Sequence, residues 1–99
     1  MVKEISEKEF DSVTSTGKVL VDCYAPWCGP CKMLSPIVDQ LAEEVTEYTF
    51  YKLNVDDAEE ISRRFGIMSI PSLLILENGE LKQKLVGFKS KSELKEILK

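Results

Sequence analysis

Apolar residues along this chain recur at two spacings, one typical of strands and one typical of helices. Residues 19–24 form a nearly continuous apolar run, which predicts a strand buried on both faces of a sheet. Apolar residues three and four positions apart follow it and predict an amphipathic helix: Cys31, Leu34, Val38, Leu41 and Val45. Pro36 lies inside this helix and is expected to kink it, because proline lacks a backbone donor and crowds the preceding turn.

The same two spacings place the remaining elements. Further strands are predicted at residues 2–5, 49–55, 72–76 and 81–86, the last two joined around the hairpin signal Asn78-Gly79. Further helices are predicted at about residues 7–15, at a short segment carrying Ile61 and Phe65 before Gly66, and at a final segment burying Leu94, Ile97 and Leu98. The chain therefore reads β-α-β-α-β-α-β-β-α.

Helix starts and element order together predict the fold class. Ser6 with Glu9 and Ser90 with Glu93 are capping boxes, and Asp57 is a candidate cap for the short helix. Strand–helix alternation favours parallel pairing early in the chain, and the hairpin adds antiparallel strands late. We expect one α/β domain over residues 1–99, with a central mixed sheet of about five strands and about four helices on both faces.

Composition and charge argue against several classes of function. The 13 basic and 17 acidic residues give a net charge of −4, and the basic residues are scattered, so we expect no nucleic-acid partner. The sequence shows neither an apolar run of membrane-spanning length nor a signal peptide. We therefore expect no membrane partner and a cytoplasmic location.

Two cysteines lie where the apolar strand gives way to the long helix, in the string Ala25-Pro26-Trp27-Cys28-Gly29-Pro30-Cys31-Lys32. A helix start exposes backbone N–H groups and carries positive partial charge, so it favours the thiolate of Cys28, the nucleophile of disulfide exchange. Cys31 lies one turn further in and is expected to be more buried. Spacing alone leaves redox exchange, a metal site and a structural disulfide open.

The metal and structural readings are the weaker two. Zinc normally takes four Cys or His ligands, but the chain has three cysteines and no histidine, so Asp22 would have to complete the set. An iron–sulfur site shared between two chains is less favoured still. A structural disulfide closing so short a loop would restrain little unfolded-chain entropy.

Several motifs resemble the thioredoxin family, and the resemblance covers essentially the whole chain. They are WCGPCK at 27–32 after VLVD at 19–22, and then KLNVD at 52–56, GIMSIPSL at 66–73, NG at 78–79 and VG at 86–87. The resemblance implies a protein-disulfide reductase that needs no bound cofactor beyond its redox-active disulfide, Cys28–Cys31. Its implied partners are disulfide-containing proteins and a thioredoxin reductase, and we expect a monomer.

The resemblance also implies roles for residues around the cysteines. Asp22 interrupts an apolar strand, where a carboxylate is costly unless it is partnered or neutral, and it would accept the proton of Cys31. Lys52 would lie near this acid. Gly29 and Pro30, between the cysteines, accompany reducing members of the family.

A second group of residues would form the docking surface for the substrate. The bond before Pro71 would be cis and face the cysteines, and Ile70 would offer its backbone to an extended substrate segment. A flat apolar rim would surround the cysteines: Trp27, Pro26, Ile67, Ile70, Gly87 and Phe88.

Two residues depart from the family pattern, which commonly has phenylalanine and tryptophan at these positions. Cys23 is expected to be a buried small apolar residue rather than a regulatory thiol. Tyr24 is expected to change the packing under the active-site loop and so shift the redox potential. Two alternatives stay open beside the reductase: a disulfide oxidant or isomerase on the same fold, and a binding module whose thiols are incidental.

Overall fold

The computed structural model describes residues 1–99 and contains one five-stranded sheet. The strands are β1 (Val2–Glu4), β2 (Lys18–Tyr24), β3 (Tyr48–Asn54), β4 (Ser72–Glu77) and β5 (Glu80–Val86). Their order across the sheet is β1-β3-β2-β4-β5, with β1, β3 and β2 parallel and with β4 and β5 antiparallel to their neighbours. The mixed sheet is confirmed.

Four helices cover the two faces of this sheet: α1 (Glu7–Thr14), α2 (Gly29–Glu44), α3 (Glu59–Arg64) and α4 (Lys91–Ile97). Phe10 of α1 and Ile61 of α3 belong to one buried cluster, whereas Leu34 of α2 and Leu94 of α4 belong to a second. Helices on both faces are therefore confirmed. None of the four combines the length and apolar character needed to cross a membrane.

Strand β2 separates the two cores because its side chains alternate between the faces of the sheet. Val21 and Cys23 belong to the first cluster, whereas Leu20 belongs to the second. Residues 19–23 are all buried, as the apolar run predicts, and Cys23 is a free, fully buried cysteine. The long helix continues through Pro36 to Glu44.

Local signals for turns and caps agree with the structure in most places. Asn78 and Gly79 have positive φ of 52° and 85°, the conformation that a tight hairpin turn requires. The backbone N–H of Ser90 donates to Glu93, and the N–H of Glu93 donates to Ser90 Oγ at 3.2 Å, which completes the capping box. Ile97, expected in the core, is only half-buried.

The prediction that Asp57 caps the third helix is wrong. Residues Val55–Asp57 form a 3-10 turn, whose own cap is the Asn54 side chain accepting from the N–H of Asp56 at 3.0 Å. Helix α3 then starts after Ala58, which has no side-chain acceptor. Instead, Glu7 of α1 reaches across and accepts the N–H of Ile61 at 2.8 Å.

Candidate functional site

The two cysteines lie where the carboxyl end of β2 turns into α2. Cys28 is the cap residue of the helix, and Gly29 and Pro30 start its first turn. Proline is tolerated at Pro30 because backbone N–H groups in the first turn of a helix have no carbonyl acceptor within the helix. Cys28 and Cys31 form a disulfide with Cα atoms 5.3 Å apart. The backbone N–H of Cys31 points at Cys28 Sγ, 3.2 Å away. A negative charge on Cys28 would therefore meet an amide donor and the positive end of the helix.

Exposure does not distinguish the two cysteine residues as expected. Cys28 and Cys31 are each 4% exposed, so the prediction that Cys31 is the more buried of the two is wrong. Both cysteines pack with Ala25, and the half-buried Tyr24 and Ile70 cover the same cluster. The two sulfurs differ because the backbone N–H of Cys31 donates to Cys28 Sγ.

The segment that ends at Pro71 faces the disulfide from the other side. The Ile70–Pro71 peptide bond is cis, as the resemblance implies, and Pro71 is buried. The carbonyl oxygen of Ile70 lies 3.8 Å from Cys28 Sγ. The N–H of Gly87 donates to the carbonyl of Pro71 at 2.8 Å, which ties this segment to the end of β5. A polypeptide that approached Cys28 Sγ would therefore also meet the backbone of this segment.

Asp22 and Cys31 line the same cavity, which has a volume of about 160 Å³. The lining residues are Asp22, Tyr24, Ala25, Pro26, Cys31, Lys32, Ser35 and Lys52. Asp22 is 4% exposed, and its Oδ1 has no hydrogen-bond partner. Burial raises the pKa of Asp22 from 3.8 to about 7; the positive charge of Lys52 opposes this rise and the negative charge of Asp39 adds to it. A carboxyl group with such a pKa can accept and return a proton near neutrality.

The surroundings of Lys52 include two side chains that sequence reasoning did not connect with it. Lys52 is paired in register with Asp22, and its Nζ lies 5.9 Å from the centre of the Tyr24 ring. The Tyr24 hydroxyl donates to Glu4 Oε2 at 2.6 Å. Nothing in the sequence marks Glu4 as a site residue, because its proximity to Lys52 and Tyr24 follows from strand register alone.

The predicted rim residues differ in their positions. Trp27 is 70% exposed beside the cysteines, and its indole N–H donates to Asp56 at 3.0 Å. Ile70 packs on the cysteine cluster, whereas the half-buried Ile67 packs on the first core. The other predicted positions are an exposed Pro26, a half-buried Gly87 with φ of +90°, and an exposed Phe88.

Sequence reasoning missed three residues next to the rim. Asp56 holds the indole of Trp27, and Met68, between two predicted rim positions, is almost fully exposed. Lys84 of β5 donates to the carbonyls of Phe65 and Gly66, at 3.1 and 3.0 Å, where α3 ends and the segment toward Pro71 begins. An exposed methionine within an apolar loop was a usable signal, whereas the contacts of Asp56 and Lys84 depend on the fold.

Comparisons with known proteins agree along the whole chain. A family model described as Thioredoxin matches residues 1–99. A thioredoxin from Mycoplasmoides gallisepticum is 47% identical over 100 residues, covering 99% of this chain and 100% of the relative, and one from Listeria monocytogenes is 43% identical, covering 99% and 96%. The solved structure of a single-residue mutant of thioredoxin from Halobacterium salinarum NRC-1 superposes with a TM-score of 0.91 at 35% identity, covering 98% of this chain and 87% of that one.

Proposed function

This chain belongs to the thioredoxin family, and from that premise we propose that it reduces protein disulfides by a cycle in which Cys28 attacks and Cys31 resolves. The chain is a thiol–disulfide oxidoreductase acting through its own cysteine pair. The observation that carries the order of attack is the N–H of Cys31 directed at Cys28 Sγ, because this donor stabilises a thiolate on Cys28.

The proposed cycle starts from the reduced protein. The Cys28 thiolate attacks one sulfur of a target disulfide, forming a mixed disulfide and expelling the other target sulfur as a thiolate, which takes up a proton. Cys31 then gives its proton to the Asp22 carboxylate and attacks Cys28 Sγ. The mixed disulfide breaks, and the target leaves with both sulfurs reduced. The two electrons that the target gained come from Cys28 and Cys31, which are left joined as a disulfide.

The role of Asp22 is supported by the cavity that it shares with Cys31. A space of about 160 Å³ has room for water, which can relay the proton between the two side chains. With its pKa raised to about 7 by burial, Asp22 is a stronger base than an exposed carboxylate and still ionises at neutral pH. Lys52 would favour the charged form of Asp22.

Docking of the target would use the segment opposite Cys28. An extended strand of the target could pair with the backbone of Ile70, whose carbonyl oxygen is 3.8 Å from the attacking sulfur. Trp27, Gly87 and the exposed part of Ile67 would complete the apolar surface around it. Gly29 and Pro30 would keep the cysteine pair in its short helical turn, and Pro71 would shape the opposing segment.

The wider setting of the cycle follows from its chemistry. Residues 1–99 would act as one domain and as a monomer, because one chain carries both cysteines and Asp22. A thioredoxin reductase would return the electrons, and no bound cofactor is needed since the cysteines carry them. A reducing compartment suits such a cycle, so we assign the protein to the cytoplasm.

Trapping the intermediate tests the order of attack. In the Cys31→Ser variant, serine cannot resolve the mixed disulfide, so a covalent complex with a disulfide-containing protein such as insulin should accumulate, with Cys28 identified by peptide mass. The matched Cys28→Ser variant should trap far less. If the complex forms through Cys31, or if none forms through Cys28, the proposed order is wrong.

A further inference from the structure

Three charged residues form one row across the parallel strands. Glu4 of β1 pairs in register with Lys52 of β3, and Lys52 pairs with Asp22 of β2. Because side chains at paired positions point to the same face of a sheet, the row lies on the face covered by α2. The single cation therefore has a carboxyl group on each side, one buried and one exposed.

Tyr24 links the two ends of this row. It lies two residues after Asp22, so it shares the same face, and its ring is 5.9 Å from Lys52 Nζ. Its hydroxyl donates to Glu4 Oε2 at 2.6 Å, so the exposed carboxylate already has a partner other than Lys52. Tyr24, Lys52 and Asp22 all line the same cavity.

We propose that Tyr24 and Glu4 are positioning residues for proton transfer at Asp22: their hydrogen bond keeps the Glu4 carboxylate away from Lys52, so that the ammonium group serves Asp22. This inference rests on the proposed function, in which Asp22 accepts the Cys31 proton. The titratable or charged groups around Asp22 are Cys31, Lys32 and Asp39 from α2, Lys52 from β3, Cys23 and Tyr24 from β2 and, through Tyr24, Glu4 from β1 and Asp57 from the 3-10 turn. Strand β4 places Leu73, which does not titrate, beside it.

The two substitutions should affect the pKa of Asp22 differently. In a Tyr24→Phe variant Glu4 loses its partner and competes for Lys52, so the ionised form of Asp22 is less stabilised and its pKa rises. In a Glu4→Gln variant Lys52 still serves Asp22, as it does in the wild type, so the pKa of Asp22 stays close to its wild-type value. Once Glu4 is neutral, removing the Tyr24 hydroxyl has nothing further to release.

Carboxyl carbon NMR of the oxidised protein tests this directly, because disulfide-bonded cysteines do not titrate with Asp22. We expect the pKa of Asp22 to rise by about half a unit in Tyr24→Phe and to change by much less in Glu4→Gln. The double variant should match Glu4→Gln. Glu77→Gln is the control: it removes an exposed charge beside Lys18, at the far end of β2, and should shift nothing.

Two results would overturn the proposal. One is an equal shift from Tyr24→Phe with and without Glu4, since the hydroxyl would then act independently of that carboxylate. The other is no shift in Tyr24→Phe. The titration requires no turnover, so it is read separately from the trapping experiment: a failed trap with the expected shifts refutes the catalytic cycle and leaves the positioning intact.

Discussion

At the scale of single residues, burial of the Asp22 carboxyl group lowers the stability of the fold and at the same time provides a base for the reaction. Its carboxyl group is buried with one oxygen unpaired, and burial raises its pKa from 3.8 to about 7. An unfolded chain releases this proton at much lower pH, so the folded state is disfavoured wherever the unfolded state is ionised. The same feature makes Asp22 a base near neutrality.

Replacing Asp22 by asparagine should therefore stabilise the oxidised protein in a pH-dependent way. The folded-state pKa is raised, so wild-type stability from this group is intact below about pH 4 and is lost as pH rises to about 7. The asparagine side chain stays neutral throughout. Urea unfolding should show the variant more stable by up to about 4 kcal/mol at about pH 8 and nearly equal to wild type at about pH 4.

The same variant should lose function, which separates the two effects of the residue. Without a proton acceptor, resolution of the mixed disulfide should slow about 100-fold near neutral pH, measured by stopped-flow with a disulfide substrate. A constant stability gain at both pH values would contradict the assigned ionisation, and an unchanged resolving rate would contradict the assigned base.

At the scale of elements, pattern and spacing predict nearly all of the strands and helices. The strand predicted at 19–24 is observed at 18–24, and the helix predicted from the apolar stripe of Cys31 to Val45 is observed from 29 to 44. The cap of α3 could not be predicted in this way. Its acceptor is Glu7, which is 54 residues away in the chain and is brought close only by the packing of α1.

The site residues likewise divide into those that the sequence predicts and those whose contacts depend on the fold. Cys28, Asp22 and Pro71 stand out in the sequence because each interrupts or begins an element, Cys31 stands out by its spacing from Cys28, and the family resemblance implies their roles. The hydrogen bonds from Tyr24 to Glu4, from Trp27 to Asp56 and from Lys84 to the end of α3 do not, since strand register and helix docking create them.

The tie from β5 to α3 gives an element-scale prediction. Lys84 holds the carbonyls of Phe65 and Gly66, just before the segment that leads to Ile70 and Pro71. Lys84→Gln should loosen that segment and raise KM for a protein disulfide about threefold to fivefold, with the rate on a small aromatic disulfide unchanged. Steady-state kinetics on both substrates measure this.

Lys82→Gln is the matched control for this experiment. Lys82 is exposed on the same strand, and its ammonium pairs only with Glu80. Equal effects from the two variants would mean that charge on β5, rather than the tie to α3, governs docking.

At the scale of the whole molecule, one sheet with two cores holds the cysteine pair where β2, α2 and the segment before β4 meet. The direction of electron transfer depends on how much the structure around the cysteine pair favours the disulfide over the dithiol. Trp27 is the only tryptophan and directly precedes Cys28, so its emission should report the redox state of the pair.

A redox titration against a reference dithiol, followed by Trp27 emission, should give a potential near about −270 mV. That figure is the value characteristic of thioredoxins rather than one obtained from this structure. Exchange of Tyr24 for phenylalanine should move it by tens of millivolts at most. A wild-type value near about −120 mV, typical of strong oxidants, would reverse the direction of electron flow.

Cys23 has a consequence for any chemical count of thiols in this protein. It is fully buried in β2, and burial raises its pKa to about 12. An alkylating reagent therefore reaches at most the active-site pair on the folded, reduced chain and no sulfur on the folded, oxidised chain. It modifies Cys23 only when the sheet opens. The extent of alkylation at Cys23, measured as added mass, therefore reports how often the native fold has opened.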